Sequence, residues 1–484
     1  MFISKVGNVD FFLQPSCSPR RLHSTTTMYP PVAMAVFTGV LLGQSITTAA
    51  LSGDRRSLPE TLLMVTNEVK ALGFLGASAL QEVDLLVSHL LDLSTGKKSP
   101  VTSVDGAIKE LSDLLDSRNS TFDHITYALD LVARGLLPSN VLDLLEGVTD
   151  DEINSSSNIN TKSPSSPIYL QKAPEDAPYS VDEATLRSAL YIPSSFEYGA
   201  NGKTPVLLVP GTAVPAGLTY HFNFVKLLSA TSFADPVWLN LPRNSLDDVQ
   251  INAEYVAYAI NYLSGVSNDS TIGVISWSQG GLDTQWALKH WPSTRAVVQD
   301  FMPVSPDFHG TLMGGPCPGF PSRLCTPSLI QQAHNTSLLR TLRSNGGDSA
   351  YVPTTTLYSS LDEVVQPQIG TEASAFLRDA RAVGVTNNQV QLVCPGQIAG
   401  SVYTHESMLV NPVAWALVVD ALTHDGPGEP SRIDLDAVCG QFLPPGLTID
   451  DFLGTETTMV AGVLDVLKLA FGTDEEPPIK PYAL

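Results

Sequence analysis

Apolar and polar positions change their rhythm twice along the chain. From Leu58 to Leu145, leucines and other apolar residues recur three and four positions apart between charged ones. The stretches PETLLMVTNEVKALGFL, ALQEVDLLVSHLLDL, AIKELSDLLDS and ITYALDLVARGLL carry the pattern. That spacing puts apolar side chains on one face of a helix and predicts several amphipathic helices. Their apolar faces need a partner, either each other or the domain that follows. Between Asp150 and Asp182 the pattern dissolves into DDEINSSSNINTKSPSSP and similar polar sequence, which reads as a linker.

Beyond the linker the rhythm becomes that of an α/β protein. TPVLLVPGT (Thr204–Thr212) is a short, continuously apolar run, as expected of a strand covered on both faces. QINAEYVAYAINYLSG reads as a helix, TIGVISW as a strand and GGLDTQWALKHW as a helix. VQDFMPVSP, TTTLYSS and QVQLVC read as three further strands, and NPVAWALVVDALTH as a late helix. Strands alternating with helices imply a mostly parallel sheet with helices on both faces. The organisation predicted is a leader region at 1–50, a helical segment at 51–149, a polar linker at 150–182 and an α/β domain at 183–484.

The leader reading rests on VAMAVFTGVLLG (Val32–Gly43), an uncharged apolar run just after Met28. It is too short to span a bilayer and fits the core of a secretory signal, with small residues near Ala49 and Ala50 for cleavage. The residues before Met28 read as an overlong leader or a misassigned start. Secretion changes how the cysteines are read. Cys17 falls in the leader, leaving Cys317, Cys325, Cys394 and Cys439. Four cysteines allow three connectivities, and proximity favours Cys317–Cys325 and Cys394–Cys439. Sequons at Asn119, Asn154, Asn268 and Asn335 agree with secretion. The 484-residue chain carries a formal net charge of −22. That argues against nucleic acid and anionic membrane surfaces as partners, since both call for basic patches. A monomer without a stable membrane anchor is expected.

The candidate chemistry sits in Ser276-Trp277-Ser278-Gln279-Gly280, where a predicted strand becomes a predicted helix. This is the position of a G-x-S-x-G nucleophile elbow, with Ser276 replacing the first glycine by another small residue. A serine hydroxyl needs a base, and the base an orienting carboxylate, in the chain order Ser, acid, His. His405, in the loop AGSVYTHESMLVNP, is preferred as the base. His424 ends the late helix and is explained as a C-terminal helix residue. Asp307 and Asp362 both follow strands; Asp362 is one strand nearer His405 and is preferred, with Glu363 beside it read as solvated. Asp283 lies on the helix after Ser278 and is poorly placed. Backbone amides for an oxyanion are expected from Gln279 and from the Gly211–Thr212 loop, where Thr212 could add its hydroxyl.

The runs LLVPGT, SWSQGGL, SPDFHGT, NGGDSAYVPTTTLYSSLDEVVQPQ and the late PYA resemble the family of secreted fungal lipases typified by Candida antarctica lipase B. The resemblance extends from about Thr204 to the C-terminus. It implies an α/β-hydrolase fold and a carboxylic ester hydrolase acting on ester or lipid substrates, including those at a lipid–water interface. By the same resemblance Ser278 is nucleophile, Asp362 acid and His405 base, with Thr212 and Gln279 as oxyanion donors. Asp307 becomes a site-supporting residue and Trp277 a wall of the substrate pocket. Cys394 and Cys439 match a family pair. The chain departs from the family at Ser276, where a threonine is usual, and in ADPVWLN, which lacks a family cysteine. Its last family disulfide is absent, and GGPCPGFPSRLC is an extra loop. The helical segment lies outside the resemblance and is a propeptide or a cap. No metal or organic cofactor is expected. The alternatives are an acyltransferase or peptidase on the same scaffold, or a catalytically silent secreted binding protein.

Overall fold

The sheet is seven-stranded, in the order β1-β3-β2-β4-β5-β6-β7. Its strands are β1 (Leu190–Tyr191), β2 (Thr204–Val209), β3 (Ala234–Leu239), β4 (Ile272–Trp277), β5 (Val298–Val304), β6 (Thr354–Tyr358) and β7 (Val385–Gln389). Only β1 runs antiparallel, to β3; every other pairing is parallel. This is a computed structural model, and it describes residues 77–117, 123–147, 152–312, 325–467 and 475–484, with Cys317 and Thr473. The leader run Val32–Gly43, Met28, Cys17, the stretch Pro59–Leu75 and Asn119 lie outside the described residues.

The apolar strands are buried on both faces, as their composition demands. In β2, Val206 and Leu208 face one core, while Leu207 and Val209 face the other. The same split occurs in β4, where Ile275 and Trp277 oppose Ile272 and Val274. Helices cover the faces, as in other α/β proteins. The helical segment forms α1 (Ala77–Ser94), α2 (Val104–Asp116), α3 (His124–Ala133) and α4 (Val141–Gly147). Helix α5 (Val249–Val266) follows β3, α6 (Gln279–His290) follows β4, and α7 (Pro412–Thr423) and α8 (Ile449–Leu467) come late.

The leucine stripes find their partner in the α/β half of the chain. Leu86, Leu90 and Leu93 of α1, Leu111 and Leu114 of α2, and Leu131 of α3 are fully buried. They belong to one apolar core with Phe452, Val460 and Val463 of α8 and with Val206 and Ile275 of the sheet. Burying each such leucine contributes about 1.5–3 kcal/mol relative to leaving it in water. The segment is therefore part of the same compact unit as the sheet.

Two sequence expectations need correction, and one helix was not expected. Residues 152–182 are not a free linker. Their polar groups are spent on the α/β unit: the Ile153 carbonyl accepts from Trp238 Nε1 (2.7 Å) and Asn240 Nδ2 (2.9 Å). Ser180 donates to the buried Glu254 carboxylate from both its amide and its hydroxyl, at 2.6 Å each. Ile168, Ala177 and Tyr179 add buried apolar anchors. Second, QVQLVC is not a strand beyond its first residue, Gln389. Strand β7 is the preceding VTNNQ, and Val390–Val393 form a helical turn. Helix α8 went unread, because its threonines, glycines and glutamate break an amphipathic pattern; the helix is buried almost all round. Both expected disulfides, Cys317–Cys325 and Cys394–Cys439, are formed.

Candidate active site

Every polar residue singled out from the sequence for chemistry, except His424 and Asp283, lies at or just beyond the C-terminal end of a parallel strand or in the loop that follows. In an open α/β sheet that edge is where ligands bind. Thr212 follows β2, Ser278 follows β4, Asp307 follows β5, Asp362 follows β6, and His405 lies in the loop after β7.

The turn at Ser278 is strained. Its backbone has φ 54° and ψ −130°, a conformation L-residues rarely adopt. Such a turn lifts the side chain off the end of the strand. Small neighbours permit it. A Cβ on Gly280 would come within 2.5 Å of the Pro210 carbonyl, and one on Gly211 within 2.9 Å of Ser278 Cβ. The Gln279 amide is the first of α6, so it has no acceptor within its own helix and faces the helix's positive end.

His405 is held by groups from three consecutive strands. Its carbonyl accepts from Trp277 Nε1 at the end of β4 (3.1 Å) and from Ser305 Oγ after β5 (3.2 Å). Its amide donates to Glu363 Oε2 after β6, at 3.1 Å. Glu363 is thus a buried brace, 4% exposed, and not the solvated neighbour the sequence suggested. Asp362 divides its oxygens: Oδ1 accepts from the amides of Val364 (3.0 Å) and Val365 (2.8 Å), and Oδ2 meets His405 Nδ1 at 2.7 Å. That contact fixes the ring orientation and leaves Nε2 as the free end of the imidazole. Nε2 is buried and has no hydrogen-bond partner within the protein.

Ser278, His405, Trp277, Thr212 and Asp307 line one cavity. Apolar side chains make most of the rest of its wall, among them Val214, Leu329, Val365 and Met459. Asp362 stands behind the imidazole, 1% exposed. The Thr212 hydroxyl donates to Gln279 Oε1 (2.7 Å), and Gln332 Nε2 donates to the same oxygen (2.8 Å). This side-chain network ties the β2 loop to the elbow, so that the two expected oxyanion donors are neighbours. Gln332 was not foreseen.

Electrostatics separate the titratable groups. Burial alone would lower the His405 pKa, but the charge and hydrogen bond of Asp362, with Glu363 and Glu406 behind, outweigh it and raise the pKa above the ordinary 6.5. Asp307 is pushed up to about 7, chiefly by burial and also by Asp362. It faces the cavity and is only partly ionised near neutral pH. Asp283, fully buried on α6, is held well above the carboxylate range by burial and by Asp307. His424 is not at the site. It ends α7, pairs with Asp420 at 3.1 Å and is half exposed.

A strained serine after a central strand, a buried imidazole–carboxylate pair and the strand order define an α/β-hydrolase of the Ser-His-Asp type. No family model matches the chain. Lipase B of Pseudozyma antarctica is 38% identical over 192 residues, which make up 39% of this chain and 54% of that protein, about half its length. The crystal structure of Aspergillus fumigatus lipase B shares 52% identity and superposes with a TM-score of 0.83, over 89% of this chain and 100% of that one. The chain belongs to the lipase B family of α/β-hydrolases.

Proposed function

We propose that this protein is a secreted serine carboxylic-ester hydrolase, a lipase or esterase that works through an acyl-enzyme on Ser278. The observation that carries the reading is the buried 2.7 Å contact of His405 Nδ1 with Asp362, with Nε2 left free and Ser278 facing the same cavity. Ser278 Oγ attacks the ester carbonyl as its proton passes to His405 Nε2. The carbonyl oxygen gains the negative charge and is held by the amides of Gln279 and Thr212. Collapse breaks the bond to the alcohol oxygen, which takes the proton back from His405. Asp362 keeps the imidazole in the right tautomer and stabilises its cation. Water then repeats the sequence on the acyl-enzyme and releases the acid; an alcohol in its place gives transesterification.

Apolar side chains around the serine suit an ester with hydrocarbon arms. Two disulfides agree with an oxidising, extracellular setting. Among the described residues no helix is long and apolar enough to cross a membrane. Triglyceride emulsions and lipid–water interfaces are the natural substrates to try beside soluble esters, with the protein acting as a monomer. The test is hydrolysis of p-nitrophenyl esters of graded chain length, with a peptide substrate alongside. Ester turnover that disappears in Ser278→Ala supports the proposal. Peptide cleavage without ester cleavage, or undiminished turnover in Ser278→Ala, overturns it.

A further inference from the structure

The helical segment does more than pack on the α/β unit. Helix α3 starts at His124, capped by Asp123, whose Oδ1 accepts from the amides of Ile125 (2.8 Å) and Thr126 (3.1 Å). One turn on is Tyr127. Residues three apart share a helix face, and this face looks into the active site. His124, 7% exposed, lines the cavity that holds Ser278 and His405. Tyr127, 3% exposed, donates its hydroxyl to Glu406 Oε1 at 2.8 Å, across 279 residues of chain. Glu406 directly follows His405. A second buried acid, Glu456 of α8, faces Glu406; burial, Glu406 and Glu363 keep it protonated well above the ordinary carboxylate range. The loop that carries the base is thus wedged between α3 and α8.

We infer that α3 is a working wall of the active site: His124 limits the length of hydrocarbon arm the cavity accepts, and Tyr127 positions the His405 loop through Glu406. The inference rests on the ester-hydrolase reading and adds its substrate class, esters whose arms are bounded by a wall from the N-terminal helices. The wall is continuous with the main core, since Ile125, Ala128 and Leu131 of the same helix are fully buried in it. Met459, Val463 and Val466 of α8 line the same cavity. An arm that outgrows the cavity on the α3 side meets the His124 imidazole.

The test measures kcat/KM for long and short chains, once along an acyl series of p-nitrophenyl esters and once along an alcohol series of butyrate esters. His124→Ala should raise the long-to-short ratio about tenfold in at least one series, the low end of what one methylene-sized contact yields. His124→Trp should lower the ratio in that same series. Ratios unmoved by both variants in both series overturn the wall. Tyr127→Phe keeps the ring and removes only the hydroxyl. It should cut kcat on a short ester about tenfold with KM unchanged; unaltered kcat overturns the positioning role, even if the melting temperature falls. A fluorophosphonate probe on wild type and Ser278→Ala separates the two failures. Labelling at Ser278 with unmoved ratios sinks only the wall, whereas absent labelling sinks the hydrolase reading itself.

Discussion

The indole Nε1 of Trp277 donates to the carbonyl of His405 at 3.1 Å, and the two rings lie 5.0 Å apart between centroids. The residue that precedes the proposed nucleophile in the chain therefore also holds the proposed base in place. Ser305 shares the same carbonyl. Trp277→Phe keeps most of the ring and removes the donor. Activity should fall about tenfold, and stability by about 1 kcal/mol, the net worth of a typical hydrogen bond. Ester kinetics and urea denaturation check the two parts separately.

Asp362 is satisfied on one oxygen by two amides and on the other by His405. Asp362→Asn preserves the size of the side chain and can keep the amide contacts through its carbonyl oxygen. It reverses the preference for the Nδ1–H tautomer. The expected result is a folded protein whose kcat is down about 10⁴-fold. Circular dichroism beside ester kinetics distinguishes this from misfolding.

The proposed base must be neutral to accept a proton, and its pKa is raised. Activity should therefore fall as pH drops, with the acid limb of kcat/KM centred above 6.5, the ordinary imidazole value. In stability the sign is opposite. The raised pKa favours the protonated native state, so His405 contributes stability that is fully present below the unfolded value and is lost as pH rises through the folded one. A pH–rate profile with an acid limb below 6.5 would contradict the assignment of Asp362 as the dominant partner.

Asp307 gives a second pH signature. Its native pKa is pushed from 3.8 up to about 7 by burial, so the folded state holds this proton more tightly than the unfolded one. Between those values each pH unit upward should remove about 1.36 kcal/mol of stability, a loss that Asp307→Asn escapes. The variant should gain on wild type as pH goes from 4 towards about 7, and hold its lead above that. Denaturation midpoints across this range give the comparison.

The arm at 152–182 has its own test. Glu254 is fully buried, accepts from Ser180 and Val181 and pairs with Lys480 at 2.9 Å. Glu254→Ala strips these donors of their partner and should cost about 3–5 kcal/mol, as breaking a buried ion pair does. Limited proteolysis within the arm should become faster in the same variant.

How legible each feature was depends on whether its signal is local. The elbow at Ser278 could be read because strand, turn and helix follow one another within about twenty residues, and small residues mark the close approach. His405 and Asp362 could be placed because the fold orders its catalytic loops along the chain. Glu363 was misjudged because nothing local distinguishes a solvated carboxylate from one that braces a loop forty-two residues away. QVQLVC misled because a short apolar run fits a strand or a helical turn equally well. The true β7 is a polar edge strand that pairs only with β6. The arm deceived for a related reason: serines and asparagines look the same whether their hydrogen bonds go to water or to the protein. His124 and Tyr127 carried no signal at all, since only tertiary packing brings α3 to the site.

The most direct measurement is the site of acylation. The protein would be mixed with excess p-nitrophenyl butyrate, quenched in acid within the first turnover and digested for peptide mass mapping. The account predicts a burst of nitrophenolate and one butyryl group, carried on the peptide that contains Ser278 and missing from Ser278→Ala. Butyryl on a different residue, or turnover with the Ser278 peptide unmodified and no burst, would contradict it.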